Sequence, residues 1–196
     1  MKKKINFRDI LIFILACALA ALSVQYILLA TQNKRNSESN IEVERKFLLD
    51  LNNLPPDMAE RAEIFEFVQT YINYSPEIRV REVNETYYYF TIKLPKDNIG
   101  LSREEIEFLV TEEEYRELLT KQVGMTIYKT RYQFYEEGFL ITVDIYSHEL
   151  SGLAVAEVEF ANVKQSESYR PPHWFGPEIT SDKRYKNANL ARDGMP

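Results

Sequence analysis

Cysteine is almost absent from this 196-residue chain, with Cys17 the only one. A single thiol, set in an apolar N-terminal stretch, excludes an internal disulfide framework, a zinc cluster and a cysteine nucleophile. Histidine is nearly as scarce. His148 and His173 are too few for a histidine-based metal site. Glycine (6) and proline (8) are also few, while 45% of the residues are apolar, as in an ordinary folded domain. Any chemistry must therefore come from carboxylates, ammonium groups and guanidinium groups.

These are plentiful and unevenly placed. Lys2, Lys3, Lys4 and Arg8 against Asp9 give residues 1–30 a charge of +3, so residues 31–196 carry −9 of the total −6. A domain this acidic is not a general nucleic-acid coat, because phosphate backbones need positive surface. No specific nucleic acid is expected as a partner.

Residues 1–9 form a basic flank, followed by an apolar run from Ile10 to Ala30. That run spans about 30 Å as a helix, which predicts a single transmembrane anchor and a membrane localisation. The competing reading is a cleaved signal peptide with Ala18-Leu19-Ala20 at its cleavage site. Basic residues flank the run on both sides, so the side on which the domain lies is open. Residues 31–40 are polar and read as a linker. The globular domain is expected over 41–191.

Within it, period-two alternation predicts strands at Ile41–Phe47, Glu63–Ile72, Glu77–Val83, Tyr87–Leu94, Arg103–Val110, Thr126–Tyr135, Phe139–Tyr146 and Val155–Phe160. Pro55–Arg61 could start a short helix. Thr111-Glu112-Glu113-Glu114 fits a capping box opening a second helix, and Thr180 is the expected N-cap of a last helix reaching about Ala191. His148, in the Ser147–Ser151 turn, is expected to be exposed.

In seven of the eight predicted strands one face is charged and the other apolar. The charged faces hold Glu42, Glu44, Glu105, Glu107, Asp144, Glu157 and Glu159, with Lys46, Arg79, Arg81, Lys93, Arg103, Lys129 and Arg131. One such strand alone reads as a solvated sheet face. Seven of them suggest eight strands closed into a barrel, with the ions pointing inward around one small ligand. Burying so many ions is costly unless each has a partner, and a polyanion with divalent cations would supply partners.

Glu42-Val43-Glu44-Arg45-Lys46 resembles the ExExK signature of the CYTH, or triphosphate tunnel metalloenzyme, superfamily. Arg79-Val80-Arg81, Thr91-Ile92-Lys93, Arg103-Glu104-Glu105-Ile106-Glu107, Lys129-Thr130-Arg131, Val143-Asp144 and Ala156-Glu157-Val158-Glu159-Phe160 follow in the family's order. The resemblance covers Ile41 to Leu190. It implies an α+β fold, a closed eight-stranded antiparallel β-barrel forming a tunnel with a few flanking helices. It also implies a metal-dependent hydrolase of triphosphate-containing small molecules, inorganic tripolyphosphate first among them. The family's adenylyl cyclase activity, or a non-catalytic polyphosphate- or nucleotide-binding module, is the alternative.

On this resemblance Mg²⁺ or Mn²⁺ would be held by Glu42, Glu44, Asp144, Glu157 and Glu159, since hard cations prefer oxygen ligands. Phosphates would be held by Lys46, Arg79, Arg81, Lys93, Lys129, Arg131 and Lys183. Glu44, Lys46, Asp144 and Lys183 are the candidate catalytic groups, and Arg103, Glu105 and Glu107 would position the basic side chains. Two of these have plainer readings. Arg103 could be a structural ion pair with Glu105 or Glu107, and Lys183 a solvated helix charge. Arg45 faces the other way and reads as a surface residue.

Overall fold

A computed structural model of the chain describes residues 43–95 and 103–196. The first strand, β1 (Val43–Leu49), leads through a 3₁₀ turn to the short helix α1 (Met58–Arg61). Four strands follow: β2 (Glu63–Tyr74), β3 (Glu77–Val83), β4 (Tyr87–Pro95) and β5 (Arg103–Val110). Helix α2 (Glu112–Leu119) opens on the expected capping box. Thr111 accepts from the Glu114 amide while the Glu114 carboxylate accepts from the Thr111 amide.

Strands β6 (Val123–Glu136) and β7 (Phe139–Tyr146) form a hairpin. Its two turn residues, Glu137 and Gly138, both have positive φ, the backbone that matches the strands' twist. Next come β8 (Ala154–Phe160), helix α3 (Val163–Ser168), the short strand β9 (Phe175–Glu178) and the C-terminal helix α4 (Asn187–Asp193).

All the strands belong to one antiparallel sheet, in the order β5-β4-β3-β2-β6-β7-β8-β1-β9. The expected closed eight-stranded barrel is not what forms. Among the described residues the sheet has nine strands and is open, with β5 and β9 as its edges. The reason lies at β1. Closure would require its free edge, but β9 occupies that edge, pairing Phe47 with Glu178 and Leu49 with Phe175. Thr180 does not cap the last helix either. Its hydroxyl accepts from the Lys46 amide and donates to Glu178, extending the contact along β1. Helix α4 starts instead after Lys186.

Among the described residues no helix is long and apolar enough to cross a membrane. The run 10–30, expected to do so, lies outside the described residues, as do residues 96–102. The expected single-pass anchor and membrane localisation therefore find no support among the described residues.

The sheet's two faces differ in kind. One face packs Phe47, Phe134, Ile141, Val143, Ala156 and Val158 against Met58 of α1 and against Tyr169 and Trp174. The other face has an apolar cluster at one end, where Tyr71, Ile127, Tyr146 and Val155 pack under Leu190 and Ala191 of α4. The Tyr146 hydroxyl also donates to Asn187 at the start of that helix. The rest of this second face carries the charges, with Phe65 and Phe67 of β2 set among them.

Seating α4 requires Gly124. Its φ is +68°, and a Cβ there would run into the Ala191 carbonyl and the Tyr74 hydroxyl. Gly124→Ala is therefore expected to cost about 1–3 kcal/mol in urea unfolding. Gly138→Ala, with φ +83° but nothing within 4 Å of the added methyl, carries only the backbone cost of about 1–2 kcal/mol. The larger loss should come with displacement of α4, read as early amide exchange at Leu190.

Candidate functional site

Directly opposed residues in a sheet share a face, so the ladder register decides which charges meet. Lys46 stands opposite Glu157, and Glu44 opposite Glu159. Glu157 faces Thr142, and Asp144 faces Arg131. Arg131 and Lys129 lie beside Phe65 and Phe67, while Gln69 and Tyr71 lie beside Arg81 and Arg79. Arg79 faces Thr91 and Glu77 faces Lys93; Glu107 and Glu105 then face Thr91 and Lys93. One face from β1 to β5 thus carries every described member of the predicted array except Lys183.

The most enclosed part is a three-residue ion cluster on β6 and β7. Asp144, only 1% exposed, accepts from Lys129 Nζ at 2.5 Å. It also accepts from Arg131 Nε at 2.7 Å and Nη2 at 2.8 Å, a two-toothed grip on the guanidinium. Burial alone would raise the Asp144 carboxyl. Lys129 and Arg131 outweigh it and hold the group well below the usual carboxylate range. Burial, with Arg131 close by, pulls the Lys129 ammonium down, while Asp144 opposes that fall.

Beside this cluster Lys46 Nζ meets Glu157 Oε1 at 2.6 Å, and Arg131 approaches the other Glu157 oxygen at 3.9 Å. Burial would lower the Lys46 ammonium, but Glu157 raises it, so the group stays charged. Across β2 lies a second set of pairs. Glu105 takes Lys93 at 2.9 Å and Arg79 at 3.4 Å, while Glu107 takes the Thr91 hydroxyl at 2.7 Å and Arg81 at 3.7 Å.

Two donors in this second set are left over. The Nε–H groups of Arg79 and Arg81 are buried and have no hydrogen-bond partner among the described residues. Orphaned charged donors are expensive in a protein interior. Burial and the neighbouring Arg79 charge bring the Arg81 guanidinium down to about 10. Both observations describe a pair of like cations that an anion would relieve.

For a metal, Glu44 and Glu159 offer hard oxygen donors. They are directly opposed across β1 and β8, so one cation could be shared between them on the ionic face. No group of three or more His, Cys, Asp or Glu side chains that could hold a metal occurs among the described residues. Magnesium commonly takes only one or two carboxylates and completes its shell with water and substrate phosphates, so the pair fits such an ion. Glu42 lies outside the described residues. Arg103 belongs to β5, but its side chain is not among those described.

Lys183 is exposed on the 3₁₀ turn before α4, and its ammonium enters none of the array's ion pairs among the described residues. Arg45 points to the opposite face. It grips Glu178 and donates to the carbonyls of Ser166 and Tyr169, tying β9 and α3 to β1. His148 is exposed.

Several members of the face escaped the sequence reading, among them Phe67, Gln69 and Tyr71. Gln69 is 2% exposed and donates to the Tyr71 hydroxyl at 2.8 Å. On this face strand β2 carries one charge, the exposed Glu63 at its start, and otherwise Phe65, Phe67, Gln69 and Tyr71, so a search for paired ions passes over it. Its parity with Arg81 and Lys129 is visible only once the strands are paired.

The chain is thus an antiparallel-sheet protein whose ionic face runs across eight strands. The CYTH domain model matches residues 40–179. An inorganic triphosphatase of Nitrosomonas europaea is 35% identical over 151 residues, covering 76% of this chain and 96% of the relative. An inorganic triphosphatase of Acetivibrio thermocellus is 32% identical over 155 residues, covering 78% and 94%. A crystal structure of an inorganic triphosphatase superposes with a TM-score of 0.61 at 32% identity, covering 76% of this chain and 93% of that one. A Hippeastrum protein assigned as an adenylyl cyclase with a dominant triphosphatase activity matches at a TM-score of 0.50 and 16% identity, covering 64% and 82%, a likeness of fold alone. The chain belongs to the CYTH domain family.

Asp144→Asn removes the counter-charge of two enclosed cations and is expected to cost about 3–5 kcal/mol in denaturant unfolding. Folding depresses the Asp144 carboxyl, so the unfolded chain takes up the proton first as pH falls. Its contribution is therefore complete above the ordinary value of 3.8 and is lost below it. The variant should lose this acid limb. Its stability should fall less steeply than that of the wild type below pH 3.8.

Proposed function

We propose that this chain is a hydrolase of triphosphate-containing small molecules and that inorganic tripolyphosphate is its substrate. The observation that carries the reading is the pair of buried Nε–H donors on Arg79 and Arg81 that have no hydrogen-bond partner among the described residues, in a face of ion-paired side chains. Two adjacent guanidinium groups with donors to spare suit a chain of phosphates, whose oxygens take planar, two-point hydrogen bonds. The names of the two curated relatives support the choice of an inorganic substrate.

Hydrolysis adds water to the terminal phosphorus, breaks the bridging P–O bond, and yields pyrophosphate and phosphate. Such transfer depends mostly on positioning and on neutralising charge as it develops. Arg79, Arg81 and Lys93 would hold phosphates on one side of β2. Lys46, Lys129 and Arg131 would hold them on the other. Asp144 fixes Lys129 and Arg131 in place; its depressed carboxyl is a poor proton acceptor at neutral pH. Glu105 and Glu107 do the same for Lys93, Arg79 and Arg81. Glu44 and Glu159, with Glu42, would hold a divalent cation, Mg²⁺ or Mn²⁺. When bound, that cation neutralises phosphate oxygens and orders water. Glu157, bridging Lys46 and Arg131, keeps both side chains extended over the face.

The test is to give the purified protein tripolyphosphate, ATP and thiamine triphosphate with Mg²⁺ or Mn²⁺ and to identify the products. Phosphate release from tripolyphosphate, abolished by chelator, is the expected result. Arg81→Ala should lower turnover about 10²-fold. Glu44→Gln should lower it about 10–100-fold at low metal, with partial recovery as metal is raised. Cyclic AMP from ATP would replace this reading with a cyclase. Tight binding without turnover would replace it with a non-catalytic binder.

A further inference from the structure

Phe67 lies at the centre of the ionic face on β2, whose one carboxylate on that face, Glu63, sits at the strand's exposed start. It is 8% exposed. Three cations surround its ring. Arg131 Cζ is 5.1 Å from the ring centroid, Arg81 Cζ 5.4 Å and Lys129 Nζ 5.7 Å. The strands carrying them flank β2 on both sides: Arg81 comes from β3, Lys129 and Arg131 from β6. Cations from both halves of the array thus meet on the Phe67 ring.

We propose that Phe67 is a positioning residue for anion binding, holding Arg81, Lys129 and Arg131 charged and aimed across the face without using up their hydrogen-bond donors. The physical reason is the aromatic quadrupole. An aromatic ring attracts cations within about 6 Å, yet it neutralises none of them. A carboxylate at this position would bind the cations more strongly but would occupy the N–H groups that a phosphate chain needs. An aliphatic residue would leave three like charges around a neutral, non-attracting centre. The unpartnered Nε–H of Arg81 fits this account, because that guanidinium is held partly by the ring and only distantly by Glu107 at 3.7 Å.

The inference rests on the proposed reading of the face as a phosphate site, and the experiment separates the two. Phe67 is replaced by 4-fluoro-, 3,5-difluoro- and pentafluorophenylalanine, which weaken the ring quadrupole stepwise with little change of shape. Phe67→Leu removes it, and Phe67→Tyr restores it. Tripolyphosphate and pyrophosphate binding is measured by calorimetry, with KM and kcat determined separately. The expected result is a stepwise weakening of tripolyphosphate binding along the fluorinated series. It should reach about tenfold for the most fluorinated ring and for Phe67→Leu, with recovery in Phe67→Tyr. The change should fall on KM more than on kcat, because the cations bind the anion before and during reaction. A flat series in a protein that binds tripolyphosphate tightly overturns the role of Phe67 alone. A wild-type protein that takes up no tripolyphosphate overturns the reading of the face and this proposal with it. The fluorinated series keeps the question decidable should Phe67→Leu fold poorly.

Discussion

The cluster of Asp144 between Lys129 and Arg131 governs the rest of the ionic face. Asp144 and Lys129 are nearly sealed from solvent, so each charge depends on its neighbours rather than on water. Without Asp144, two adjacent cations on one strand would repel in a poorly screened setting. With it, both side chains stay extended and charged. Glu157 repeats the arrangement one strand further on, joining Arg131 to Lys46. Glu105 and Glu107 repeat it beyond β2, with Lys93, Arg79 and Arg81. The face is a set of acid-held cations, and its acids serve first to place its bases.

This organisation also explains how the domain divides its labour. The opposite face and the ends of the sheet supply the apolar burial that drives folding, through Phe47, Val143, Ala156, Val158 and Trp174. Helix α4 closes one end of the ionic face with Leu190 and Ala191 over Tyr71, Ile127 and Tyr146. At that end the face changes from ionic to apolar, and Tyr146 and Asn187 join the two regions by a hydrogen bond. The ions can therefore be organised for binding rather than for stability.

Much of this was legible in the sequence. Pairs of charges at i, i+2 within strand-forming stretches, such as Arg79 with Arg81 and Lys129 with Arg131, announce a sheet with one ionic face, because strand parity is a local property. The capping box at Thr111 is local in the same way. Other features were not legible. The end of the sheet at β9 depends on Phe175–Glu178, a four-residue strand containing Gly176 and Pro177, which has no alternating pattern to betray it. Thr180 looks like a helix cap in sequence, yet it bonds to Lys46, a residue 134 positions away.

The sequence by itself determined which residues carry charge, their order and their common side of each strand, since alternation needs nothing beyond the chain's own backbone. Tertiary structure decided who faces whom. Register across β2 brings Phe67, Gln69 and Tyr71 into the array, although none of them is charged. The pairing of β9 with β1 leaves the sheet open, although eight alternating strands could equally have closed. Both outcomes rest on contacts between segments far apart in the chain, which no local pattern specifies.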